Sequence, residues 1–131
     1  MYILVLAVVS GHNIMDYGAI PTSSSTEACF RNAAAIESAF AAAIDADMDT
    51  GDKEVLIPVG EFYSMPFQAD NAANITFTIE GVLRASSNNK DWPVRAGESG
   101  ADVLNFITFV DMDNLTIQGN GVIDGQGFMW W

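Results

Sequence analysis

A chain of 131 residues has room for one domain. Half of it is apolar, with eight Phe, three Tyr and three Trp, so it can build a real core and does not have the composition of a disordered chain. Five basic residues against 17 acidic ones give a formal charge of −12, which argues against nucleic acid and against an anionic membrane surface as partners.

The first residues, MYILVLAVVSG, form an apolar run too short to span a bilayer. They have the apolar centre and small-residue end of a secretory leader but lack its basic start, and a buried first strand is the competing reading. The expectation adopted is a leader or its remnant over residues 1–11, cleaved near Ser10 or Gly11, ahead of one domain over residues 12–131. NIMDYGA then predicts a short strand followed by a turn at Gly18, and PTSSST a loop ending in helix-capping residues.

EACFRNAAAIESAFAAAIDA is the one strong helix signal, because alanine is the best helix former. Cys29, Ala33, Ile36, Phe40, Ala43 and Ile44 recur at three- and four-residue steps and share one face. A helix with a single apolar stripe lies against something. Cys29 is the only cysteine, so no disulfide forms within the chain. Its place on the stripe favours a small buried residue over half of a pair with a missing partner.

The acidic patch DADMDTGDKE resembles a calcium loop in its alternating aspartates. Its glycine comes one place late, however, and the twelfth position from Asp45 is Leu56 where a glutamate is needed. A helix end and a solvated turn account for it better.

The remainder is strand-like: EVLIPVGEFYSMPF, NITFTIEGVLRAS and FITFVDMDNLTIQGNGVIDGQG. β-Branched and aromatic residues alternate there with polar ones, punctuated by Gly and Asn. SSNNKDWPVRAGESGAD interrupts this rhythm as a long inserted loop. NITFTIEGVL from Asn74 aligns with NLTIQGNGVI from Asn114, and a weaker unit begins at Gly60. Gly60 to Gly81 is 21 residues, and Gly81 to Gly121 is 40, close to two such steps with the loop counted. A period near 20 residues with short strands and tight turns indicates a solenoid of parallel strands, a parallel β-helix. The open end of its first coil needs a cover, and the amphipathic helix is expected to supply it with Ile36, Phe40 and Ile44 facing the core.

Chemical signals are sparse. GNGVIDGQGFMWW, at the end of the chain, fails as a dinucleotide fingerprint. The third glycine would fall at Asp124 or at Trp130, and no P-loop lysine follows. Its glycines are expected to let stacked coils turn tightly and approach closely. His12 is the only histidine and lies far from any carboxylate cluster, so no serine or cysteine nucleophile can be assembled and no histidine-based metal site built. Asp111 and Asp113 stand at a strand-to-turn junction and read as a solvated turn rather than an acid pair. Asn74 and Asn114 each open an N-glycosylation sequon. The same residues also fit a turn asparagine and a strand-opening threonine.

NIMDYGAI, EVLIPVGEFYSMPF, NITFTIEGVLRAS, DWPV and DNLTIQGNGVIDGQGFMWW, in that order, resemble the N-terminal part of the polygalacturonases, glycoside hydrolase family 28, from about Asn13 to Trp131. The resemblance implies an all-β fold, a right-handed parallel β-helix of which these are the first coils, with an N-terminal amphipathic capping α-helix. It also implies a secreted, monomeric hydrolase that needs no cofactor and cleaves α-1,4-galacturonosyl bonds of pectin with inversion. The family's catalytic motifs are Asn-Thr-Asp, an Asp-Asp pair, Gly-His-Gly and Arg-Ile-Lys, and none occurs here. No catalytic, cofactor-binding or metal-binding residue is therefore carried over. The expectation is an N-terminal fragment, inactive and marginally stable by itself. Its acidity would repel a polyanionic pectin chain. Two alternatives fit the same residues: a non-catalytic carbohydrate-binding β-helix module, and a related enzyme for another uronic-acid or rhamnose-containing polysaccharide.

Overall fold

A computed structural model of the chain describes residues 11–49, 51–88, 90–94 and 103–126. The expected leader, apart from Gly11, and the Trp130–Trp131 pair lie outside the described residues.

The elements follow in order: β1 (His12–Asn13), a 3-10 helix (Ile14–Tyr17), α1 (Thr26–Asp45), β2 (Glu54–Ile57), β3 (Glu61–Ser64), β4 (Phe67–Ala73), β5 (Thr76–Ile79), β6 (Val82–Ala85), β7 (Ile107–Asp113), β8 (Thr116–Gln118) and β9 (Val122–Asp124). They form three sheets, ordered β1-β2-β5-β8, β3-β6-β9 and β4-β7, and every named pair in them is parallel. Each circuit of the chain thus adds one strand to each sheet. β2, β3 and β4 make one coil, and β5, β6 and β7 lie on it in register, with Val55 on Phe77, Phe62 on Leu83 and Phe67 on Ile107. β8 and β9 then begin a third, with Thr116 on Thr76 and Val122 on Val82.

The period of the repeat needs correction. Glu54 pairs with Thr76, a rise of one coil in 22 residues. Thr76 pairs directly with Thr116, so the 40-residue spacing is also one coil rather than two. The inserted segment between β6 and β7 swells it. Among its described residues, Trp92 is buried, its Nε1 donates to Leu104 O at 2.8 Å, and its ring packs on Phe106.

Alternation explains the core. In β2, β3 and β6 every second residue points inward, placing Val55, Ile57, Phe62 and Leu83 in the interior. The 3-10 helix replaces most of the strand expected over NIMDYGA. Asn13 Oδ1 accepts from Met15 N, Gly18 closes the turn at φ +97°, and only two residues are left in β1. β4 was not legible, because FQADNAA has little β propensity. It is a strand because β7 pairs with it. Both strands bend at a left-handed residue, Asn71 (φ +56°) and Asp111 (φ +54°), residue types that tolerate that conformation.

α1 begins at Ser25, whose Oγ accepts from Ala28 N, and lies against β1, β2, β3 and β4. Ile36 and Phe40 are buried as expected, while Ile44 is half-buried at the edge. Phe40 meets Phe77 edge-on at 5.0 Å and Phe109 at 5.6 Å, so the helix reaches side chains of the second coil as well as the first.

Candidate functional site

Stacking coils in register brings like positions together on the outer surface. Arg84 on β6 stands between Glu61 on β3 and Asp124 on β9. Its Nη1 donates to Glu61 Oε1, and its Nε lies 3.3 Å from Asp124 Oδ2. The Tyr63 ring centre is 5.9 Å from its guanidinium carbon. The hydrogen bond to Tyr63, with the two carboxylates, holds the Arg84 pKa above its ordinary value. A second column runs Glu54, Thr78, Gln118: Thr78 donates to Glu54 Oε2, and Gln118 Nε2 donates to Thr78 Oγ1 at 3.2 Å. A third joins Asn114 Nδ2 to Asn74 Oδ1 at 3.0 Å.

Three of the described cations have partners within the chain, and Lys90 is exposed. Arg31 pairs with Glu27 one helical turn away, Lys53 Nζ donates to the carbonyls of Ala43 and Ile44 at the end of α1, and Arg84 is held as above. None of the three is placed as a receptor for a polyanion.

A cleft of about 390 Å³ lies between α1 and the starts of β4 and β7, lined by Glu37, Phe67, Gln68, Asp70, Asn105 and Thr108 among others. Its acids are engaged with Gln68. Gln68 N donates to Glu37 Oε2 at 3.1 Å, and Gln68 Nε2 donates to both Asp70 carboxylate oxygens at 2.8 and 3.1 Å. A general acid and a water-activating base for inverting glycoside hydrolysis need carboxyls facing one another about 6.5–9.5 Å apart across a sugar. Here Glu37 and Asp70 each accept hydrogen bonds from Gln68, one from its backbone and one from its side chain.

The residues singled out in the sequence fall as follows. His12 Nε2 lies 2.8 Å from Asp52 O and Nδ1 3.0 Å from Tyr17 OH, a joint between β1 and the turn before β2. Cys29 is fully buried on α1, near the Ser24 carbonyl, as the helix stripe indicates, and burial raises its thiol pKa. In the acidic patch, Asp47 Oδ1 accepts from Asp49 N at 2.8 Å, and the Asp52 carboxylate accepts from Gly11 N and Glu54 N. The patch ends a helix and makes turns. Asp111 and Asp113 are exposed, and the left-handed Asp111 breaks the extended alternation between them. Asn74 and Asn114 are exposed, both at φ +59°, and the structure brings them together across the stack. Gly119 and Gly121 do what was expected of them: an added Cβ would overlap Ile79 O at the first and Gly81 O at the second.

Sequence reasoning missed Asn32. It is fully buried, with Oδ1 accepting from Ile20 N at 2.6 Å and Nδ2 donating to Ile20 O and Tyr63 O. Its signal was an asparagine lying three residues after Cys29 and four before Ile36, on the buried stripe. Among the described residues, no group of three or more His, Cys, Asp or Glu side chains converges to hold a metal, and no helix is long and apolar enough to cross a membrane.

Comparison with known proteins places this geometry. The chain is 29% identical over 80 residues to a polygalacturonase of Persea americana, an alignment covering 59% of this chain and 16% of that protein. It is 32% identical over 84 residues to an exopolygalacturonase of Zea mays, covering 63% of this chain and 18% of that one. The chain therefore spans less than a fifth of the length of these relatives. No solved structure matches it significantly. Residues 48–131, from the turn after α1 through the stacked strands, match glycosyl hydrolases family 28. The match covers more than half of the chain, and the chain belongs to that family.

Proposed function

We propose that these residues are the first coils of a right-handed parallel β-helix with α1 as its lid, in a secreted, monomeric hydrolase acting on the α-1,4-galacturonosyl bonds of pectin with inversion. The observation that carries this is the family match over residues 48–131, joined to relatives named polygalacturonase and exopolygalacturonase. The parallel register of all three sheets supports the β-helix, since successive strands lie one coil apart. In this reading the segment is scaffold. Asp47 shapes a turn, Glu37 and Asp70 hold Gln68, and Glu61 and Asp124 flank Arg84; the acid and base of the reaction are assigned to other parts of the whole protein.

The test is the reading frame from which the chain comes, expressed in full and given polygalacturonate. Release of reducing ends whose new anomeric centre is inverted supports the proposal. No hydrolysis, or retention of configuration, contradicts it.

A further inference from the structure

The two sequons, at Asn74 and Asn114, are 40 residues apart in the chain and next to each other in space. β5 and β8, which they precede, pair in register from Thr76 on Thr116, so each sequon occupies the same position on successive coils. Both asparagines are exposed and left-handed at φ +59°, and the backbone locks the match: Asn74 N donates to Asp113 O at 2.8 Å. The matching φ and the register place both side chains on the same outer face, Asn74 Nδ2 3.8 Å from Met48 Sδ and Asn114 Nδ2 turned toward Asn74. Their separation is therefore the rise of one strand, about 4.8 Å. Asn114 Nδ2 already uses that separation to donate to Asn74 Oδ1 at 3.0 Å.

An N-linked glycan forms when the amide nitrogen attacks the anomeric carbon of an N-acetylhexosamine carried on a lipid-linked diphosphate donor supplied by the secretory host: the N–C bond forms, the C–O bond to the diphosphate breaks, the lipid diphosphate leaves and the amide nitrogen loses one proton. One such sugar can leave the stack into solvent, because both asparagines stand on the outer surface. Two cannot leave side by side, because a pyranose ring with its substituents is wider than one strand spacing. The second sugar would have to push the coils apart or rotate its asparagine out of the left-handed turn.

We propose that Asn74 and Asn114 form a single N-glycosylation site shared between two coils, either of which can be modified but not both in one folded molecule. The inference rests on the secretory reading of the chain, and the experiment is arranged so that the two can fail separately. The chain is expressed behind a foreign cleavable leader in a eukaryotic secretory host, so delivery does not depend on its own first residues. Intact mass of the secreted, folded fraction, before and after removal of N-glycans, counts the glycans. Thr76→Val and Thr116→Val each destroy one sequon while keeping the asparagine and the strand. Circular dichroism confirms that each secreted form is folded. The expected result is one glycan on the parent chain, one on Thr116→Val at Asn74, and one on Thr76→Val at Asn114. A folded parent chain carrying two glycans overturns the proposal. So does a parent chain carrying none, or either variant carrying none, since that makes one sequon dead rather than excluded. Secretion behind the chain's own first residues is scored separately and bears only on localisation.

Discussion

Asn32 is the residue on which the lid depends most narrowly. Its amide satisfies Ile20 N, Ile20 O and Tyr63 O, joining α1, the loop before it and β3. Removing it strands buried backbone groups, at a cost of about 1–3 kcal/mol for each left without a partner. Asn32→Ala is expected to lower the melting temperature more than Ala35→Gly does, as calorimetry or thermal circular dichroism would register. The glycines give a sharper contrast. An alanine Cβ at Gly121 meets the Gly81 carbonyl oxygen, whereas at Gly125 it meets nothing within 4 Å. Gly121→Ala is expected to destabilise by about 1–3 kcal/mol or more through overpacking, and Gly125→Ala to be near neutral, in paired urea melts. Cys29 adds a pH dependence. Burial raises its thiol pKa, so the folded state holds that proton more tightly than the unfolded chain does. The resulting stability is fully present below the unfolded value, about 8.5, and is lost as pH rises through the folded value. Cys29→Ala is expected to flatten the alkaline decline in melting temperature, and an unchanged decline would exclude the thiol as its source.

At the scale of elements, α1 was legible because alanine propensity and the stripe from Cys29 to Ile44 pointed the same way. β2, β3, β5 and β6 were legible from alternation. β4 was not, since Ala69, Asp70, Asn71 and Ala72 carry no strand signal and take their conformation from pairing with β7. The same holds for β1, where Asn13 caps a 3-10 helix instead of continuing a strand. Function as a lid makes a prediction for the helix. Phe40 is buried against Phe77 and Phe109, so Phe40→Asp places a charge among aromatic rings of the second coil. Truncating such a residue costs about 3–5 kcal/mol, and a buried unpaired charge adds to that. The variant is expected in inclusion bodies or as an expanded form by size-exclusion chromatography. An unchanged melting temperature would show that α1 does not cover the core.

For the whole molecule, the spacing from Gly81 to Gly121 was ambiguous because period and insertion cannot be separated by counting. The pairings of Thr76 with Thr116 and of Val82 with Val122 resolve it as one coil. The pairing of Asn74 with Asn114 was half-visible as a repeat, yet its consequence, two asparagines one strand apart, needs the register. Arg84 gave no signal, because its partners Glu61 and Asp124 are 23 and 40 residues away and meet it only through stacking. The chain is strongly acidic, and Arg31, Lys53 and Arg84 each pair with groups of the chain itself. Ile117, Val122 and Ile123 are exposed on the outermost described coil, the kind of side chain that a further coil would cover. In the function proposed above, this segment of a family 28 protein is scaffold and does not carry the reacting carboxylates. Incubating the purified 131-residue chain with polygalacturonate and measuring reducing ends tests it most directly. No release above the buffer control is expected. Sustained, enzyme-dependent release would contradict it and would place reacting carboxylates within these coils.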